Sequence, residues 1–313
     1  MKKIVLIQPH IHKKELPFQL HLYDVWKKSG INYKKSICPT WRWLFHVVNN
    51  INIPKFCESK KEAHIVLVGG GPIRWGCWPD CMFYEIILFI WDCWPIYYNR
   101  VFNVIAKYKV KTVITTSRQT TSVLLNQFPA LNVLNLTEGI DTALYNGGLN
   151  LNKRGIDVLE YGRPNLNLNN ISFIDTNYRH LKSKPGERLF QTEKELIDAL
   201  SNSKVTITYP RCITDPKMAG NIETLTQRYW ENMLSRIVMV GKAPMELVNL
   251  IGYNPVIELD ENNAKKQIID ILENIDDYQV LVNKNRETAL KYSSWNERVK
   301  VIEDYLVNIG YEL

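Results

Sequence analysis

At 313 residues the chain is too long for one small module and suits two domains of ordinary size. Hydrophobic residues make up 45% and charged residues 23%, a normal globular balance that excludes disorder, collagen-like repeats and coiled coil for the chain as a whole. The net charge of +7 is uneven: residues 1–150 hold 18 Lys and Arg against 9 Asp and Glu, and residues 151–313 hold 21 against 23.

The most apolar stretch, Met82 to Trp94, is broken by Glu85 and Asp92, so no transmembrane span is expected. The run Ile4–Ile7 after Met1-Lys2-Lys3 stops at Gln8-Pro9-His10, too soon for a secretory leader, and reads as the first strand of a cytoplasmic protein. Cys38, Cys57, Cys77, Cys81, Cys93 and Cys212 lack metal or disulfide spacing and read as reduced thiols.

Short β-branched runs between turn residues predict strands at Ile4–Ile7, His64–Val68, Glu85–Ile90, Thr112–Thr115 and Asn132–Leu136. Helices are predicted at Ile96–Lys107 and Thr120–Phe128. The Asn- and Gly-rich stretch 142–154 reads as a linker. A second alternating series follows, with strands at Ile156–Tyr161, Val205–Tyr209, Ile237–Val240 and Val256–Leu259. Its helices are Glu193–Asn202, about Glu223 to Leu234, Met245–Ile251, Asn263–Glu273, Asp277–Tyr292 and Ser294–Asn308. Strand–helix alternation means parallel sheets covered on both faces, with ligands beyond the carboxyl ends of the strands. The expectation is α/β with two doubly wound domains and a ligand cleft between them.

The chemistry concentrates between Pro210 and Pro244. Glu223 stands at the expected helix start and Glu231 lies inside the helix. If both are helical, they are separated by roughly 12 Å along the axis, too far for an acid–base couple on one bond and suited to two ends of an elongated polar ligand. A carboxylate accepts two hydroxyl hydrogen bonds, so the vicinal diols of a sugar and of a ribose are natural partners. Gly220, Asn221 and Ile222, at the expected helix start, would offer backbone N–H groups to a phosphate.

This strand–loop–Glu-x7-Glu-helix–strand unit resembles the C-terminal domain of GT-B glycosyltransferases, especially the retaining, nucleotide-sugar-dependent group called family 4. Glu231-Asn232-Met233-Leu234-Ser235-Arg236-Ile237-Val238-Met239-Val240 is similar to its EAMASGxPVI segment. Thr137-Glu138-Gly139-Ile140-Asp141-Thr142 resembles its inter-domain segment. Leu159-Glu160-Tyr161-Gly162-Arg163 resembles the strand opening its second domain, and Ser293-Ser294-Trp295-Asn296-Glu297-Arg298 the start of its last helix.

The resemblance implies an acceptor domain over 1–150, a donor domain over 151–295, and a last helix, 296–313, returning to the first. It implies that Glu231 binds the ribose, Glu223 the donor sugar and Arg163 the diphosphate. The glycine-rich turn expected after the first strand is absent; Gly69–Gly71 follows a later strand. A lysine shortly after Arg163 is also absent, leaving Arg211, Lys217 and Arg228 as replacement cations. There is no Asp-x-Asp motif, so no divalent metal and no cofactor beyond the nucleotide-sugar co-substrate is expected. His10, His12 and Asp92, at strand ends, are candidates on the acceptor side.

The expected acceptor is a glycan or lipid-linked saccharide of surface polysaccharide assembly. The lysine pairs and Trp41-Arg42-Trp43-Leu44-Phe45 suit docking on the inner, anionic face of a membrane. Two other classes stay open. Tyr23 and Lys27 fit the pair of a Rossmann epimerase or oxidoreductase, but G-x-G-x-x-G is missing after the first strand. The basic half permits nucleic-acid binding, but no recognised motif supports it and no nucleic-acid partner is expected.

Overall fold

The computed structural model describes residues 1–9, 18–35, 41, 44, 47, 55, 58–163, 168, 173, 176–183 and 189–313. The chain forms two compact units. One comprises Met1–Glu138, Lys217–Ile222 and Trp295–Leu313; the other comprises Gly139–Pro216 and Glu223–Ser294. The boundary therefore falls at Glu138/Gly139 rather than near 150.

Unit 1 is built on a parallel sheet of β1 (Lys2–Ile7), β2 (Asn32–Lys34), β3 (Glu62–Gly69), β4 (Glu85–Trp91), β5 (Thr112–Thr115), β6 (Asn132–Asn135) and β12 (Tyr311–Glu312). The order is β12-β1-β3-β4-β5-β6; β2 pairs with Val5–Ile7 of β1 and β12 with Lys2–Lys3. Nearly every residue of β3 and β4 is buried, because both faces are covered. Val66, Val68, Ile86, Leu88 and Ile90 enter one core with Val101 and Ile105 of the helix Tyr98–Tyr108. The alternate residues Ile65, Leu67, Ile87, Phe89 and Trp91 enter the other. Two helices close that second face, α1 (Phe18–Lys28), through Leu22 and Trp26, and the C-terminal helix Trp295–Asn308, through Trp295, Val299, Ile302 and Leu306. Buried Arg298 ties the C-terminal helix to Thr137, donating to its carbonyl (2.6 Å) and its hydroxyl (3.0 Å).

Unit 2 holds β7 (Ile156–Glu160), β8 (His180–Lys182), β9 (Ser203–Thr208), β10 (Val238–Gly241) and β11 (Val256–Glu258), all parallel, in the order β11-β10-β9-β7-β8. In chain order, α2 (Ile73–Cys77), α3 (Tyr98–Tyr108), α4 (Arg118–Gln127) and the C-terminal α12 (Trp295–Asn308) belong to unit 1, and unit 2 holds α5 (Glu193–Ser201), α6 (Arg211–Thr214), α8 (Gln227–Leu234), α9 (Met245–Ile251), α10 (Ala264–Glu273) and α11 (Gln279–Tyr292); the short α7 is Pro216–Ala219.

The stretch read as a linker is a pinned part of this unit. Buried Arg154 donates to the carbonyls of Leu149, Ser203 and Gly147 at 2.7–2.9 Å. Arg236 reaches the carbonyls of Gly147 and Gly148, and Arg286 that of Tyr145. Gly147 and Gly148 take positive φ, which turns these carbonyls toward the guanidiniums.

Candidate functional site

In unit 2 the carboxyl ends of β7, β8 and β9 open into a pocket lined by Glu160, Tyr161, Gly162, Arg163, Lys182, Ser183, Ile207, Tyr209 and Thr214. This is where a doubly wound sheet leaves strand ends without helical cover. Exposed Arg163 and half-buried Lys182 give the rim positive charge. Glu160 anchors the wall, its carboxylate taking His180 Nε2 at 2.9 Å and Lys182 Nζ at 3.3 Å.

Behind the pocket, α8 presents Arg228 and Glu231 toward Tyr161. The Arg228 guanidinium lies 5.2 Å over the Tyr161 ring. Gly162 has φ +78°, and a Cβ there would come within 2.0 Å of Arg228 Nη2, so this glycine makes room for the cation. The Tyr161 hydroxyl is 3.0 Å from Glu231 Oε2 and 2.9 Å from Asn232 Oδ1. Burial pushes the Glu231 pKa up, against the Tyr161 hydrogen bond and the charge of Arg228; Glu193 adds to the rise. The same burial, with Glu231 beside it, keeps Tyr161 un-ionised.

Glu223 is placed differently from expectation. The helix starts at Gln227, with Thr226 at its N-cap in extended backbone, and residues 222–226 have no helical turn. Thr224 and Thr226, β-branched and suited to capping, favour that extended entry. The 12 Å spacing, which assumed one continuous helix, therefore lapses. Glu223 accepts from the backbone N–H of Met245 at the start of α9 (3.1 Å) and pairs with Lys242 Nζ at 3.3 Å. It thus satisfies a helix N-terminus, while the neighbouring Glu246 accepts from the N–H of Leu225 (3.2 Å).

Gly220, Asn221 and Ile222 likewise do not open a helix. Gly220 ends the short turn of helix Pro216–Ala219 with φ +53°, and the Ile222 N–H is bonded to the Ala219 carbonyl (3.0 Å). They cluster with unit 1, where the Asn221 carbonyl accepts from Gln119 (3.2 Å). Lys217 is exposed on that short helix. Arg211, after β9, pairs with Asp215 at 3.2 Å.

In unit 1, Asp92 follows β4 with φ +48°, a left-handed conformation that Asp adopts more readily than most residues. Gly69, Gly70 and Gly71 serve packing: a Cβ on Gly70 would meet the Asp92 carbonyl at 3.0 Å, and one on Gly71 the Tyr97 ring at 3.3 Å. His10 and His12 lie outside the described residues. Among the described residues no helix is long and apolar enough to cross a membrane, and no cluster of His, Cys, Asp and Glu has a metal-binding arrangement.

Of the predicted residues, Arg163 lines the strand-end pocket and Arg228 and Glu231 meet Tyr161 behind it, whereas Glu223 stands at the start of α9 and Gly220 and Lys217 cluster with unit 1. The sequence reading gave no role to Tyr161 and Lys182. Tyr161 stood inside the quoted Leu159–Arg163 segment, but its partner on α8 is 70 positions away. Lys182 carried no local signal.

No family model matches the sequence, and no curated protein does. Solved structures do. Sucrose-phosphate synthase from Thermosynechococcus elongatus aligns with TM-score 0.63 and 11% identity over 99% of both chains. Anabaena HepE in complex with UDP and glucose aligns with 0.60 and 12% over 98% of this chain and all of that one. A glycosyltransferase from Rickettsia africae aligns with 0.53 and 13% over 99% of both. At these identities the likeness establishes architecture: the chain has the α/β fold of GT-B glycosyltransferases, with one parallel sheet in each of two Rossmann-like units.

Proposed function

We propose that the protein is a glycosyltransferase that moves a sugar from a UDP- or GDP-sugar to a glycan or lipid-linked saccharide, with retention, in surface polysaccharide assembly. The observation that carries this reading is the convergence of Gly162, Arg163, Lys182 and Arg228 with Glu231 at the carboxyl ends of β7–β9. Cations and a glycine that lets one of them approach suit a diphosphate; a carboxylate one hydrogen bond behind them suits the ribose diol. HepE, of the same fold, was solved with UDP and glucose.

In this reading the acceptor hydroxyl oxygen bonds to the anomeric carbon as the bond from that carbon to the diphosphate oxygen breaks. The acceptor proton passes to the departing diphosphate. Arg163, Arg228 and Lys182 offset the charge that develops there, without a divalent metal. Asp92, with His10 and His12, is assigned to the acceptor side, and Glu223, paired with Lys242, to the donor sugar.

The test is titration with UDP-glucose and GDP-mannose, followed by product stereochemistry. Saturable binding that weakens about 10- to 100-fold in Glu231→Ala supports the reading. Binding of neither donor, or salt-steep binding of polynucleotide instead, overturns it.

The acceptor side carries a membrane reading as well. Trp41, Leu44 and Val47 are helical, three apart and 58%, 46% and 42% exposed, so they present an apolar stripe, and Lys34 and Lys35, earlier in the chain, are exposed too. Arg42, Trp43 and Phe45 lie outside the described residues. Flotation with anionic liposomes that fails to carry the protein would remove this part of the proposal.

A further inference from the structure

Glu231, Tyr161, Asn232 and Thr208 form a chain of polar groups within unit 2. The Tyr161 oxygen is 3.0 Å from Glu231 Oε2 and 2.9 Å from Asn232 Oδ1, and Asn232 Nδ2 is 3.1 Å from Thr208 Oγ1. Asn232 and Thr208 are completely buried, so unmade hydrogen bonds there are costly.

A hydroxyl has one proton, and an amide has one donor end and one acceptor end. With Nδ2 facing Thr208, the Oδ1 of Asn232 takes the Tyr161 proton. The Tyr161 oxygen then turns a lone pair toward Glu231, and the contact closes when Glu231 is a neutral carboxyl that donates. A second complete arrangement exists with the amide turned over. Thr208 then donates to Asn232 Oδ1, Asn232 Nδ2 donates to Tyr161, and Tyr161 donates to an ionised Glu231. Mixed arrangements leave a buried group unpaired.

We propose that Tyr161 is a positioning residue that makes nucleotide-sugar binding proton-linked: the relay closes with Glu231 either neutral or ionised, and the nucleotide selects the ionised arrangement. This rests on the reading of Glu231 as the ribose ligand. From the neutral arrangement, binding breaks the Glu231 O–H bond and the proton leaves to solvent. The two ribose hydroxyls donate to the carboxylate, and the relay reverses so that Tyr161 donates to it as well.

The groups around Glu231 pull in both directions, and burial is the largest of them. Burial and Glu193 at the start of α5 favour the neutral form, whereas Tyr161 and Arg228 favour the charged one; Tyr145, un-ionised, faces it from the 142–145 turn. The ligand selects the ionised form, so affinity is flat above the Glu231 pKa and falls about tenfold per pH unit below it.

Calorimetric titration of the full chain with UDP-glucose and GDP-mannose tests this, because each phosphorus of their diphosphates keeps a single, strongly acidic hydroxyl that is ionised throughout the range used. Titrations run from about pH 5 to about pH 8 in two buffers of different ionisation enthalpy. The expected result is a buffer-dependent enthalpy reporting release of up to one proton, with affinity rising and then levelling as pH increases. Tyr161→Phe keeps the ring under Arg228 but removes a donor to ionised Glu231, so the affinity midpoint moves to higher pH. Glu231→Gln abolishes proton release. Equal enthalpies in both buffers and flat affinity, with binding still lost in Glu231→Ala, overturn the linkage and leave the ribose reading standing. An unmoved midpoint in Tyr161→Phe overturns the role of Tyr161. Binding of neither donor overturns both. If Tyr161→Phe does not fold, the proton count of the unaltered protein decides alone.

Discussion

Two places in unit 2 are made of the same parts and end up in different states. At residues 145–149, positive-φ Gly147 and Gly148 meet Arg154, Arg236 and Arg286; after β7, positive-φ Gly162 meets Arg228. In the first place the guanidiniums are occupied by backbone carbonyls, three of them on Arg154 alone. In the second the Arg228 guanidinium rests on the Tyr161 ring, behind the strand-end pocket. Arginine and glycine together therefore do not mark a ligand site. What separates a clamp from a receptor is whether the protein has already supplied the acceptors.

The largest effect expected from this contrast is on the clamp. Arg154→Ala removes the charged donor from the carbonyl of buried Ser203, frees the exposed Leu149 loop and leaves the Gly147 carbonyl to Arg236 alone, and is expected to cost about 2–3 kcal/mol of unfolding free energy. Nucleotide-sugar affinity should be unchanged while the protein stays folded. Urea unfolding followed by titration checks both; a cost under about 1 kcal/mol would erase the distinction drawn here.

Gly162→Ala probes the open place and should do the reverse. Its stability cost is the strain of a Cβ at φ +78°, about 1–2 kcal/mol, because the atom it meets is the mobile end of Arg228. Arg228 must then leave the Tyr161 face, and donor affinity should fall about tenfold, the share of one charge-assisted contact. Unchanged affinity in a folded Gly162→Ala protein would mean that Arg228 is not part of the receptor.

The sequence disclosed the parts of the fold that rest on local pattern. Ile65–Val68 and Ile86–Ile90 are apolar without interruption and bounded by turn residues, as strands buried on both faces must be. Met245–Ile251 begins after Pro244 and ends at Gly252, so both ends are marked. The strand Tyr311–Glu312 is two residues long and exists through its pairing with β1, some 300 positions away, so no local pattern announces it. The Asn and Gly content of 142–154 was read for flexibility, yet the arginines that pin it come partly from positions 236 and 286. Within the candidate site, Glu231 stood in the segment similar to EAMASGxPVI, whereas the interpretation of Glu223 depended on where its helix starts. Thr226 marks that start as an N-cap, a signal outweighed in the sequence by the attraction of a single amphipathic run.

The smallest effect extends the same criterion to unit 1, where a charged cluster sits at the amino end of the sheet with its acceptors supplied. Lys2 Nζ bridges Glu58 (2.6 Å) and Glu85 (2.7 Å), Lys55 reaches Glu58 (2.7 Å), and the Tyr311 hydroxyl donates to Glu85 (2.5 Å). Partial burial opposes ionisation of Glu58, but the hydrogen bonds and charges of Lys2 and Lys55 prevail and hold its pKa down to about 2. A depressed carboxylate contributes stability above its unfolded pKa, near 4.5, and loses it as the pH falls toward 2. After discount for solvent screening, the contribution is about 1 kcal/mol. Urea midpoints measured between about pH 5 and about pH 2.5 should therefore fall less steeply in Glu58→Gln than in the unaltered protein. Donor affinity at neutral pH should not move. A cluster whose charges are all answered within the protein responds to acid through stability, whereas the open site around Glu231 responds through affinity; parallel acid slopes in the two proteins would show that Glu58 is not held by its lysines.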